Sequence, residues 1–380
     1  MPAPTIRNIV NNNLHHERSI SLSAYDIIIW IMAIFAVLGA LDRIFGNRFG
    51  LGKQFEEGIL AMGSLALAML GIIAAAPVLS AVLKPIVVPV FSFLGADPAM
   101  FAGTILACDM GGGALAAEMA TDPQAAGLGG VITGSMLGAT IVFTIPVALG
   151  ILRQEDRPLL AKGVLCGIVT IPLGILVGGL AAGYPLGMVL RNLIPIVLIA
   201  ALIALGLWKA EKAMIKGFTV FGKAITVLIT LALALSILQK LTGVEWLQGL
   251  ESLNEGFAVV GEIAIVLAGA FPLVYAVTKV LEKPLMKLGR LLGINDTAAA
   301  GLIATLANSI ATFGLVKDMD SRGKVVNIAF AVSAAFVFGD HLGFTAGFAP
   351  ELLPAMILGK LTGGIAAVAV ALLLTRKYRD

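Results

Sequence analysis

Apolar runs about as long as the ~20 residues a helix needs to cross a bilayer recur along this chain. The first begins at Tyr25 and stops at the charges Asp42 and Arg43, and eight more follow at 59–83, 128–152, 163–183, 191–208, 218–238, 257–280, 325–344 and 353–374. With 59% hydrophobic and 13% charged residues and a mean hydropathy of +0.99, there is too little polar surface to coat a water-facing body of 380 residues. Inside hydrocarbon every backbone N–H and C=O must pair within the protein, so runs of this length are read as helices. The expected fold class is all-α: a polytopic membrane protein with about nine transmembrane helices.

Two further apolar segments, 85–119 and 284–316, carry a turn signal in the middle, Gly95-Ala96-Asp97-Pro98 in one and Gly293-Ile294-Asn295-Asp296 in the other. Each half is short for a crossing, so both are read as re-entrant helical hairpins. Loop charge supports that count. The basic clusters Arg43/Arg48/Lys53, Arg153/Arg157/Lys162, Lys209/Lys212/Lys216, Lys279/Lys283/Lys287/Arg290 and Arg376/Lys377/Arg379 all fall on the cytoplasmic side, and Glu245/Glu251/Glu255 outside, when neither hairpin crosses. The N-terminus is then outside and the C-terminus cytoplasmic. The two segments also align with each other at an offset of 198 or 199 residues, matching Lys-Pro, Leu-Gly and Ala-Gly. The span before each hairpin runs in the opposite direction, so an inverted repeat is expected, about 59–152 and 257–350. Inverted repeats with broken helices are how many secondary transporters build a midplane site. The domain reading is a flexible polar tail at 1–24, one transporter domain at 25–375 and a cytoplasmic tail at 376–380. The tail lacks the apolar core and small-residue cleavage site of a signal peptide.

The stretch from Leu106 to Met119, LACDMGGGALAAEM, concentrates chemistry in an apolar setting. A carboxylate at membrane depth costs several kcal/mol unless it faces a cavity, a partner or a cation, which singles out Asp109. The consecutive glycines Gly111, Gly112 and Gly113 should break the helix, and broken backbone at that depth is tolerated where it is buried in protein or lines a cavity. Asp340 is the second deep acid, followed by His341, a substrate-binding candidate that could accept a hydrogen bond or titrate, a structural histidine being an equal reading. Glu118, near the end of the first hairpin, is a further substrate-binding candidate: nine residues after Asp109 it would lie on the opposite face of an unbroken helix, but the intervening glycines break that helix. Cys108 and Cys166 stand in apolar runs without a CxxC pair and read as small core residues.

FEEGILAMGSLALAM from Phe55, LGADPAMFAGTILACDMGG from Leu94, GSMLGATIVFTIPVALGI from Gly134 and ATLANSIATFGLVKDMDSRGKVVNIAFAVSAAFVFGDHLGF from Ala304 resemble the bacterial ethanolamine-utilisation permeases, the EutH-type family, over about residues 25–375. The resemblance implies a cytoplasmic-membrane transporter that brings ethanolamine to a catabolic pathway. Gly113 departs from the bulkier residue expected there. Ethanolamine is a cation at neutral pH, and removing water from its ammonium requires replacement charge and hydrogen bonds. Asp109 and Asp340 are the expected acceptors. Asn308 aligns next to Asp109 in the repeat and, with Ser309, would offer an amide and a hydroxyl to the same cavity. At four-residue spacing on a helix, Phe336 and Phe344 would flank Asp340 with aromatic walls suited to a cation, core packing being the plainer reading; Phe143 and Phe313 are weaker candidates.

Twenty-six basic residues against 23 acidic, with no basic stripe carrying aromatics, argue against nucleic acid. The absence of HExxH or paired His/Asp spacing argues against an intramembrane enzyme, a metal and a cofactor. The alternative is a cation-coupled carrier of another polar solute such as a nucleoside, since concentrative nucleoside transporters share the paired-hairpin layout. The sequence leaves proton coupling, sodium coupling and a homo-oligomer open.

Overall fold

The computed structural model describes residues 24–378, apart from the side chains at 24, 25, 281–283, 285 and 288. The expected tail at 1–24 therefore lies outside the described residues up to residue 23, as do Arg379 and Asp380. Among the described residues there is no strand. The order is α1 (Ala24–Ile44), α2 (Leu51–Phe93), α3 (Ala99–Ile105), α4 (Gly112–Met119), α5 (Pro123–Ile151), α6 (Arg157–Ile168), α7 (Ile171–Ala181), α8 (Leu186–Lys209), α9 (Glu211–Thr242), α10 (Leu253–Leu292), α11 (Asp296–Ala307), α12 (Ser309–Leu315), α13 (Ser321–Ala334), α14 (Asp340–Phe348) and α15 (Leu353–Leu374). The protein is an all-α polytopic membrane protein. Among the described residues eight helical stretches are long and apolar enough to cross, α6 and α7 forming one of them. They match eight of the nine expected runs. The ninth, 325–344, is split: α13 ends at Ala334 and α14 begins at Asp340.

Burial sorts these helices into layers. The apolar window of α5 is 83% buried and that of α1 only 17%, so α5 stands at the centre and α1 at the periphery. Trp30, Val37, Leu67, Leu202, Val227 and Ile265 are exposed on the outer helices, an arrangement that suits lipid rather than water. Over 127–138 and 140–144 α5 is wound as a π-helix, a winding often found at functional sites.

The hairpins are built differently from the expected boundaries. Helix α2, with 43 residues, and α10, with 40, are about 64 and 60 Å long at ~1.5 Å per residue, some twice the ~30 Å hydrocarbon core. Pro85 and Pro284 therefore lie inside these long helices rather than in hairpin limbs. The turn at 95–98 is the base of the first hairpin, and its tip is the break between α3 and α4. The Asp97 carboxylate locks that base, accepting from the N–H of Ala99 at 2.8 Å, from those of Thr121 and Asp122 at 3.0 Å each, and from the Thr121 hydroxyl. The second hairpin, α11 and α12, turns at Asn308. Its base is locked by Asp320, which accepts from the N–H of Asn295 at 2.8 Å, while the Asn295 amide donates to the Asp318 carbonyl at 3.0 Å. Residues 97 and 121 meet, and 295 and 320 meet, so the two ends of each helix pair lie together.

Pro77 interrupts α2 by withholding an N–H. In the turn before it, the Ala74 carbonyl accepts the N–H of Glu251 at 2.8 Å, which pins the loop between α9 and α10 to the middle of α2.

Candidate functional site

Two helix breaks face each other at the centre of the molecule. At the tip of the first hairpin, residues 106–111 leave the α-helical path, and Gly111 turns the chain at φ 91°, a left-handed conformation that glycine adopts without steric cost. A Cβ at Gly111 would lie 1.8 Å from the Ile72 side chain, so the position also needs glycine's size. The N–H of Gly112 donates to the Ala107 carbonyl at 2.9 Å and closes the turn. In the second break, Phe336 is held at φ 62°, strained for a bulky residue. Its N–H donates to the Thr305 carbonyl, and that of Phe338 to the Leu306 carbonyl at 2.9 Å. A Cβ at Gly339 would come within 2.2 Å of the Ala307 carbonyl oxygen, so only glycine lets the break approach the second hairpin this closely.

A cavity of about 160 Å³ lies between the breaks. Ala107, Asp109 and Met110 contribute one wall and Phe336, Asp340 and His341 another; Ser64, Leu65 and Ala68 of α2 and Ala139 and Phe143 of α5 complete it. Asp340 is the first residue of α14, where the positive end of the helix dipole favours a carboxylate. Asp109 Oδ1 lies 3.6 Å from His341 Nε2 and 4.0 Å from Cys108 Sγ. The rings of Phe143 and Phe336 meet edge to face at 5.4 Å, and Phe336 packs on His341 at 5.3 Å. A larger pocket of about 510 Å³ near Phe101 and Phe218 has no charged residue in its lining and so no means of replacing the water of an ion.

Of the residues singled out from the sequence, Asp109, Asp340, His341, Phe336 and Phe143 therefore share one cavity. Phe336 reaches it through the break and not through the four-residue helical spacing expected with Asp340, because α14 begins only at Asp340. Phe344 lies outside the cavity wall, stacked on Phe348 at 4.8 Å, and this pair packs against Gly113. Asn308 stands at the tip of the second hairpin and caps α12, its Oδ1 accepting from the N–H of Ile310 at 2.8 Å. Ser309 is buried with its hydroxyl unpaired among the described residues. Glu118 sits at the base of the first hairpin, where its carbonyl accepts from the Ser80 hydroxyl. Phe313 is buried in the core.

Sequence reasoning passed over Lys360. It is 1% exposed, lies in the middle of α15, donates to the Ser135 carbonyl of α5 and interacts electrostatically with Asp109 and Cys108. The signal was present: a lone lysine inside an apolar run is a charge at membrane depth. Cys108 is closer to the chemistry than a packing residue need be. Its Sγ, an Asp109 oxygen and a His341 nitrogen lie within 4.8 Å of one another, donors of the type zinc accepts. The Cys108 thiol is fully buried, and Lys360 lies near both Cys108 and Asp109.

The family model described as "Ethanolamine utilisation protein, EutH" matches residues 25–374. The chain belongs to the EutH family. It is 60% identical over 356 residues to a protein of Listeria monocytogenes serotype 1/2a (strain 10403S) named "Probable ethanolamine permease EutH", covering 94% of this chain and 95% of the relative. It is 50% identical over 354 residues to "Uncharacterized protein YxeR" of Bacillus subtilis (strain 168), covering 93% and 96%. A Salmonella typhimurium relative, also named "Probable ethanolamine permease EutH", is 48% identical over 390 aligned positions, covering 93% and 96%. No solved structure matches the chain.

Proposed function

We propose that this EutH-family protein is an ethanolamine permease of the cytoplasmic membrane, a carrier that takes up the protonated amino alcohol by alternating access. The observation that carries the reading is the central cavity with Asp109 and Asp340 in its wall. Two carboxylates substitute for water around the ammonium, and Phe143 and Phe336 line the same space, where aromatic rings can attract a cation. Ser64 lines the same space, and its hydroxyl, which donates to the Ala61 carbonyl at 2.9 Å, keeps lone pairs that can accept from the substrate's alcohol. The permease names of the relatives point the same way.

The chemical requirement explains the broken helices. Each break frees backbone carbonyls and N–H groups at membrane depth, where a helix would hide them, and a hairpin tip is a movable wall. Alternating access follows if the two hairpins, related as an inverted repeat and entered from opposite sides, open in turn. Asn308 and Ser309 belong to this scheme as the tip of the second gate, with Gly111, Gly112 and Gly113 shaping the first. Phe344 and Glu118 act at a distance from the cation, one by packing behind Gly113 and the other at the hairpin base.

Size argues against the nucleoside alternative. The cavity, at about 160 Å³, is well below the ~300–1,000 Å³ of sites for drug-sized ligands.

Uptake of labelled ethanolamine into proteoliposomes tests the proposal. Asp109→Asn and Asp340→Asn should each reduce the rate about tenfold or more, because removing one partner of a buried charge pair is costly. Choline and other amino alcohols should compete, and nucleosides should not. Parent-rate transport by both folded variants would rule the site out.

A further inference from the structure

Lys360 is a buried charge that the uptake scheme leaves without a role. It projects from the middle of α15 into the centre of the molecule, where its ammonium is hydrogen-bonded to the Ser135 carbonyl. That carbonyl is close to the site: Gly134, one residue earlier, packs on the backbone of Cys108, a Cβ there falling 3.1 Å from the Cys108 nitrogen. Cys108 in turn precedes Asp109, and the Lys360 charge interacts with both. Lys360 does not line the cavity. It is thus a fixed cation behind the wall, on a four-carbon stem, with the charge and three donors that the ammonium of the proposed substrate also carries.

Formal charge shows what such a group is for. Counted at their formal charges, Asp109 and Asp340 contribute two negative units and Lys360 one positive, which leaves one unit for a single monovalent cation to meet. Without Lys360 the unloaded site would hold two uncompensated acids in low dielectric, and an unloaded carrier must reorient in every net cycle. We propose that Lys360 is the resident counter-ion of the transport site, setting its stoichiometry at one monovalent cation and allowing the unloaded carrier to return. This rests on the permease reading and adds a role for α15. The lysine acts through Asp109 and the local field and does not touch the substrate.

Net uptake and exchange separate this from a structural role. In exchange both half-cycles run loaded; net uptake requires the empty return. A Lys360→Met carrier loaded with one cation has the same formal charge as the unloaded parent, whereas its unloaded form has one negative charge more. Lys360→Met should therefore lower net uptake of labelled ethanolamine about tenfold or more while exchange against internal ethanolamine stays within about threefold of the parent. Adding Asp340→Asn restores the charge balance, so the double variant should transport faster than either single variant, a coupling that distant independent sites do not show. A parallel loss of uptake and exchange in a folded Lys360→Met protein, or no change in either, would overturn the proposal. If Lys360→Met does not fold, the comparison of the double variant with Asp340→Asn decides, and a double variant no faster than that single one overturns it. Parent proteoliposomes showing neither uptake nor exchange would instead remove the permease reading.

Discussion

At the scale of residues, position in the bilayer gives each charge its meaning. Asp109 and Asp340 were legible because an acid in an apolar run is expensive unless used, and both line the central cavity. Lys360 met the same criterion, yet its partner is 225 residues away in sequence, and no local pattern links it to Ser135. Asn308 shows the reverse: repeat alignment paired it with Asp109, while in the structure its side chain is occupied in capping α12. Outside the spans, Glu251 has its carboxyl pushed up to about 7 from 4.5, first by burial and then by Glu255 and Glu118 nearby. Between those values the folded state holds a proton that the unfolded state has released, so stability falls as pH rises from about 4.5 to about 7 and is level above. Glu251→Gln removes that slope. The melting temperature of the variant in detergent should match the parent below pH 4.5 and exceed it increasingly up to about pH 7; a constant difference across the range would contradict the burial of this carboxyl.

At the scale of elements, the hairpins depend on their bases as much as on their tips. Asp97 gathers three backbone N–H groups and a hydroxyl from both ends of the first hairpin, and its own N–H donates to Asn192 of α8 at 2.7 Å. Hydrogen bonds to a charged group contribute about 1.5–3 kcal/mol each in favourable cases, and unpaired buried donors add to the loss. Asp97→Ala should therefore lower stability by about 3 kcal/mol or more, read as a fall in melting temperature, with faster hydrogen exchange at the amides of Ala99, Thr121 and Asp122. Unchanged exchange there would show that the base is held by packing alone. The turn signals at 95–98 and 293–296 were visible in sequence, but whether a turn is a tip or a base depends on which distant segment meets it.

At the scale of the whole molecule, crossing number and orientation follow from the hairpins. On the re-entrant reading of the second hairpin, the chain from the loop after α9 to the C-terminal end would cross through α10, the broken pair α13 and α14, and α15. We therefore expect Trp246 outside and Lys377 in the cytoplasm. Single cysteines at these positions are informative because Cys108 and Cys166 are both buried. A membrane-impermeant thiol reagent should label Trp246→Cys in intact cells and Lys377→Cys only after permeabilisation. Labelling of both from one side would mean that the hairpin crosses, and the opposite pattern would invert the orientation.

By itself, the sequence determined the solvent of this protein, its helices, the deep acids and the places where the helices must break, because each of these is set by local composition against the energy of burying backbone and charge in hydrocarbon. Tertiary structure alone decided which breaks share a cavity, that the run at 325–344 is two helices, and that a lysine from α15 lies behind Asp109. Those outcomes depend on contacts between segments far apart in the chain, where glycine at 111 admits the Ile72 side chain, glycine at 339 admits the Ala307 backbone, and a hydrogen bond made across the bundle replaces one that local periodicity would have assigned to a helix.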